Sequence, residues 1–106
     1  MESEAIFLTR EDSLSVILPH EIDHHAVKPI REKTDIKLFE LSPGLLILDF
    51  SAVNFMDSSG IALILGRVET ASEVGAKVHL DRLSPTLYKL VRLSGIERIK
   101  NLTVSP

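Results

Sequence analysis

The run Leu45, Leu46, Ile47, Leu48, Asp49, Phe50 is almost uninterrupted in its apolarity and follows the breakers Ser42, Pro43 and Gly44. So short an apolar run, too short for a membrane span and set off by turn residues, reads as a strand covered on both faces at the centre of a sheet. Whatever this chain folds into must bring other elements against that strand.

Those elements are visible on either side. Ala5 to Leu8 and Leu14 to Leu18 are β-prone runs joined by the polar Arg10, Glu11, Asp12 and Ser13, which predicts an opening hairpin. From Asp23 to Phe39, Ala26, Val27 and Ile30 followed by Lys33, Thr34 and Lys37 carry helical spacing with a polar back, and Pro29 implies a late start or a kink. After the loop Ser51 to Met56, the stripe Ile61, Ile64, Leu65, Val68 predicts a second helix stopped by Gly75. Lys77 to Leu80 alternates as a strand. Ser84 and Pro85 then open a third helix through Leu87, Leu90 and Val91 to Gly95, and Ile99 to Val104 reads as a last strand. The order ββαβαβαβ implies an α/β fold with a mixed, mostly parallel sheet of about 4–5 strands packed against helices.

Size and charge narrow the function. A chain of 106 residues leaves room for one domain, expected over 1–106. No apolar stretch approaches the roughly 20 residues of a membrane span, and the opening Met1, Glu2, Ser3, Glu4 is acidic where a signal peptide is basic, so a cytoplasmic location is expected. The absence of cysteine removes disulfides and thiolate chemistry. A net charge of −3 with scattered Lys and Arg gives no footprint for nucleic acid, which leaves proteins as the expected partners.

The residues that point to chemistry follow the central strand: Asn54, Phe55, Met56, Asp57, Ser58, Ser59, Gly60. Strand ends that feed helix starts are where α/β sheets place function. Asp57 or Ser58 can cap the first turn, and Gly60 tolerates close approach of another backbone. Phe55 and Met56 read as core plugs beside this loop, the alternative being a partly exposed pair that serves as interface contacts.

Asp49, Phe50, the stretch Phe55 to Ile61, and Ile64, Leu65, Gly66, Arg67 closely resemble the signature of STAS-domain anti-sigma factor antagonists. Glu21, Ile22, Asp23, His24, His25, Ala26 and Ser84, Pro85, Leu90, Ser94, Gly95, Ile96 resemble further stretches of the same family, sporulation type, so the likeness spans nearly the whole chain. Pro19, His20 and Ala62 depart from it where glycine is common, and the chain stops at Pro106 where many relatives continue into a final helix, which is expected to be absent or trimmed. The resemblance implies that Ser58 is phosphorylated by an anti-sigma factor that is itself a serine kinase. It further implies that the unmodified form binds this kinase and displaces a sigma factor, and that a serine phosphatase resets the switch. ATP and Mg would arrive with the kinase; no cofactor, no metal and no enzymatic activity are expected of the chain itself, and a monomer is expected. Asp23, Asp57, Ser58, Ser59 and Gly60 are then the expected partner-binding residues, Ser59 being the competing acceptor and Asp23 equally a helix cap.

Other chemistries have less behind them. Asp23, His24 and His25 are plausible metal-ligand types, but neighbours in sequence diverge in direction and no further compact His/Asp/Glu cluster completes a set. Ser58 lacks the Gly-x-Ser-x-Gly turn of a hydrolase, and no Gly-rich nucleotide loop is present. The alternative within the fold is a STAS scaffold or regulatory module of a stress-signalling or transport complex.

Overall fold

The computed structural model describes residues 4–106. Strands β1 (Ile6–Arg10) and β2 (Ser13–Ile17) form the opening hairpin; short β3 (Glu21–Ile22) leads into helix α1 (His24–Leu41). Then follow β4 (Leu45–Asp49), short β5 (Phe55–Met56), α2 (Ser58–Glu73), β6 (Lys77–Asp81), α3 (Pro85–Ser94), a 3-10 turn (Ile96–Arg98) and β7 (Leu102–Val104). The five-stranded sheet runs β1-β2-β4-β6-β7, with β1 antiparallel and the other pairs parallel. The long apolar run is therefore its middle strand.

The register sets Leu14, Leu46, Val78 and Leu102 in one row and Val16, Leu48 and Leu80 in the next. Side chains alternate along a strand, so both rows face the same way; all seven are buried in one cluster with Ile30 and Leu38 of α1, Leu63, Ile64 and Val68 of α2, and Leu87 and Val91 of α3. The expectation that the central strand is covered on both faces is corrected here. Leu45 and Ile47, on the opposite face, are only half-buried, and Ile6 and Leu8 beyond them are exposed.

The helices differ from their sequence patterns in instructive ways. α1 does not start late: it begins at His24 and runs through Pro29 to Leu41. Thr34, placed by pattern on the polar back, is fully buried, its hydroxyl donating to the Ile30 carbonyl at 2.6 Å. On α2 the buried stripe is Gly60, Leu63, Ile64, Arg67, Val68 and Ala71, so Leu65 is left exposed. Helix α2 closes at Val74 with Gly75 at φ 78°, and the last strand is shorter than its pattern because Ile99 to Asn101 form a turn, closed by the Leu102 N–H donating to the Ile99 carbonyl.

Gly60 is buried because Met56 lies on it: a Cβ built there would overlap the Met56 side chain. A Cβ on Gly66 would meet nothing within 4 Å. Gly60→Ala should therefore cost about 1–3 kcal/mol in urea unfolding through overpacking, whereas Gly66→Ala should be neutral or stabilise by up to about 1 kcal/mol by removing a helix-interior glycine. Equal effects of the two substitutions would refute this reading of α2.

Candidate functional site

The parallel strands β2, β4 and β6 end in register at Ile17, Asp49 and Asp81. Beyond each of them the chain reaches a helix cap, Asp23, Asp57 or Ser84 in turn, so all helix N-termini follow the same end of the sheet. Short polar side chains are required there because the first N–H groups of a helix have no partner within it.

The first and second of these units are tied to each other by a pairing that the sequence pattern did not reveal. β3 and β5 run parallel, Glu21 beside Phe55 and Ile22 beside Met56, and the Asp57 N–H donates to the Ile22 carbonyl at 3.3 Å. Asp23 and Asp57 each follow directly on the last paired residues of this ladder, which brings the two caps to one edge. Both caps are made: Asp23 Oδ1 accepts from the N–H groups of His25 (3.1 Å) and Ala26 (3.0 Å), and Asp57 Oδ1 accepts from that of Ser59 (2.8 Å). Between the two open possibilities for the second helix, Asp57 is the cap. Ser58 is left as the first helical residue and is exposed; Ser59 is half-buried.

Electrostatics follow from the caps. The Ala26 N–H above all, then the His25 N–H and the charges of His25 and His24, hold the Asp23 carboxyl below its ordinary range, while desolvation opposes them. Since that pKa is depressed in the folded state, the cap's stabilisation is present above the unfolded-state value of about 3.9 and is lost as pH falls through the folded-state value.

Other expected site residues fall differently. Gly60 is buried, and the space a Cβ would take there is filled by the Met56 side chain. Met56 is buried as a plug, but Phe55 is 51% exposed. Along α2, Ser58, Ala62, Leu65 and Glu69 are all exposed, an i, i+4, i+7, i+11 stripe that places Ser58 at the head of one helix face. His24 and His25 stack with ring centroids 4.0 Å apart, and among the described residues no group of three or more His, Asp or Glu is placed to hold a metal ion.

Below this face lies an ion pair that sequence patterning overlooked, because Arg67 was no part of the apolar stripe. Arg67 is buried, its Nε 2.7 Å from Asp35 Oδ1 and its Nη2 donating to Asp35 Oδ2 at 3.1 Å, joining α2 to α1. Burial pushes the guanidinium pKa down, and the Asp35 carboxylate works against that shift.

Two substitutions test these assignments by chemical unfolding. Asp57→Ala should lower stability by about 1 kcal/mol and Asp57→Ser should recover most of it. Asp35→Ala should cost about 2 kcal/mol by stranding the Arg67 charge, less than a fully buried pair because Asp35 retains some access to water.

The STAS domain model matches residues 6–105. The chain is 35% identical over 96 residues to an anti-sigma F factor antagonist of Lysinibacillus sphaericus, covering 91% of this chain and 81% of that protein. It is 30% identical over 86 residues to an anti-sigma F factor antagonist of Paenibacillus polymyxa, covering 81% of this chain and 74% of that one. The solved structure of the anti-sigma factor antagonist SpoIIAA in its unphosphorylated form superposes with a TM-score of 0.81 at 30% identity, covering 96% of this chain and 88% of that one. A sheet of this order, the capped edge at its strand ends and these likenesses agree: the chain belongs to the STAS-domain family.

Proposed function

We propose that this protein is an anti-sigma factor antagonist which, unphosphorylated, binds an anti-sigma factor serine kinase and thereby frees a sigma factor, and which phosphorylation of Ser58 switches off. A serine phosphatase would restore the active form, and ATP and Mg belong to the kinase. The observation that carries this reading is the placement of Ser58: an exposed hydroxyl at the first position of α2, beside the paired caps Asp23 and Asp57, with exposed Phe55 and Leu65 on the same helix and its approach. The names of the Lysinibacillus and Paenibacillus relatives support the same role.

A phosphoryl group adds about 1.5 to 2 negative charges. At a contact that had accommodated a neutral hydroxyl, a mismatched charge costs about 2–5 kcal/mol, against roughly 5.5 kcal/mol to move a complex from nearly all bound to nearly all free. One phosphate on Ser58 thus supplies most of the switch. Ser59 is the poorer acceptor, since its N–H is held by Asp57 and the residue is half-buried.

The test is intact mass and site mapping after incubation with the anti-sigma factor kinase and Mg-ATP. A single phosphate, retained in Ser59→Ala and lost in Ser58→Ala, is expected, with no hydrolytic turnover by the isolated chain. A phosphate that persists in Ser58→Ala, or none from an otherwise active kinase, would refute the proposal and favour a scaffold role.

A further inference from the structure

Where α1 and α2 pack, they leave a groove of about 180 Å³ with Val27 and Arg31 on one wall, Ala62, Gly66 and Arg67 on the other, and Ser59 at its head. The opening exists because α2 carries small residues there. Its volume is below the roughly 300–1,000 Å³ of small-molecule sites, and suits a single inserted side chain.

The chemistry of the walls is one-sided. Arg67 faces Asp35 with Nε and Nη2, of which Nη2 makes the hydrogen bond, while Nε and Nη1 are buried with no hydrogen-bond partner among the described residues. Arg31 is exposed, makes no ion pair among the described residues, and lies near enough for its charge to oppose that of Arg67. Of the two guanidinium groups only Arg67 has a carboxylate partner there, and the complement the pair lacks is a second carboxylate, which arginine binds through paired N–H donors.

The groove opens beside the exposed face headed by Ser58, with Ala62 common to both. We infer that this groove receives an aspartate or glutamate side chain of the protein partner that reads Ser58, with Arg31 at its mouth and Arg67 on its wall as the recognising groups. The inference rests on the antagonist reading. It makes the α1 side of the contact an acid-selective one, so that docking depends on ionic strength as well as on the hydroxyl of Ser58.

The experiment is titration of the full chain against the anti-sigma factor kinase without ATP, comparing wild type, Arg31→Glu, Lys100→Glu and Ser58→Glu, each checked for folding by circular dichroism. Lys100 is exposed in the turn that leads into the last strand, at the end of the sheet opposite the helix caps, and its substitution makes the same charge change. Arg31→Glu should weaken binding about tenfold to a hundredfold, Lys100→Glu less than about threefold, and an acidic-to-lysine change at one position of the partner should restore binding to Arg31→Glu. Loss of binding in Ser58→Glu with Arg31→Glu unchanged, or equal losses in Arg31→Glu and Lys100→Glu, would overturn the groove assignment and leave the antagonist reading standing. Failure of the wild type to bind or be phosphorylated would overturn both.

Discussion

The parallel register across β2, β4 and β6 is the constraint on which the rest of this molecule depends. It turns alternating Leu and Val residues into continuous rows that only one face of the sheet buries, and it ends the strands together at Ile17, Asp49 and Asp81. A slip by one residue would send Leu46 and Leu48 to the half-covered face and Leu45 and Ile47 into the core. The ends of the strands would then no longer deliver helix caps to one edge, because the connections that follow them are short.

The two-residue ladder between β3 and β5 adds what the main sheet does not: it binds the approach to α1 to the approach to α2. Its hydrogen bonds continue on both sides, with Asn54 and Phe55 N–H groups donating to the His20 carbonyl and that of Asp57 to Ile22. Met56 is driven inward onto Gly60, and alternation on a strand turns Phe55 outward. One pairing therefore sets the plug, the exposed aromatic and the neighbouring aspartates. The Arg67–Asp35 pair holds the same two helices together farther along, where a missing partner for either charge would be costly.

Much of this was legible in the sequence, for identifiable reasons. The order of long elements follows from apolar runs and breakers, the cap Ser84 from a residue whose oxygen suits free N–H groups, and the second cap only as a choice between Asp57 and Ser58. Pairing of strands as short as Glu21–Ile22 and Phe55–Met56 was not, since a ladder of that length has no periodicity of its own. Thr34 and Arg67 escaped for a different reason. Pattern reading assigns polar residues to solvent, whereas Thr34 satisfies its hydroxyl within its own helix and Arg67 is compensated by a residue 32 positions away. Exposure of Leu65 was equally hidden, and that of Phe55 was left open, because apolarity alone does not say which face of an element the core will use.

The geometry at Ser58 bears on how a charge there could act. A phosphoryl group on the first residue of α2 would lie at the positive end of the helix dipole, a placement that favours an anion by about 0.3–1 kcal/mol at an exposed site. Asp57 opposes it, but its carboxylate is already committed to the Ser59 N–H, and the site is open to water, where like charges are well screened. These terms are small and of opposite sign, so the domain itself has little reason to change shape when Ser58 is modified. On the proposed reading the balance would change only when a second surface excludes the water: the screening would be lost, and the phosphate and Asp57 would become adjacent anions that the partner must desolvate together. A switch of the proposed kind would store its energy in the interface rather than in the fold, and the edge it would act on is held by the capped helices and the β3–β5 ladder.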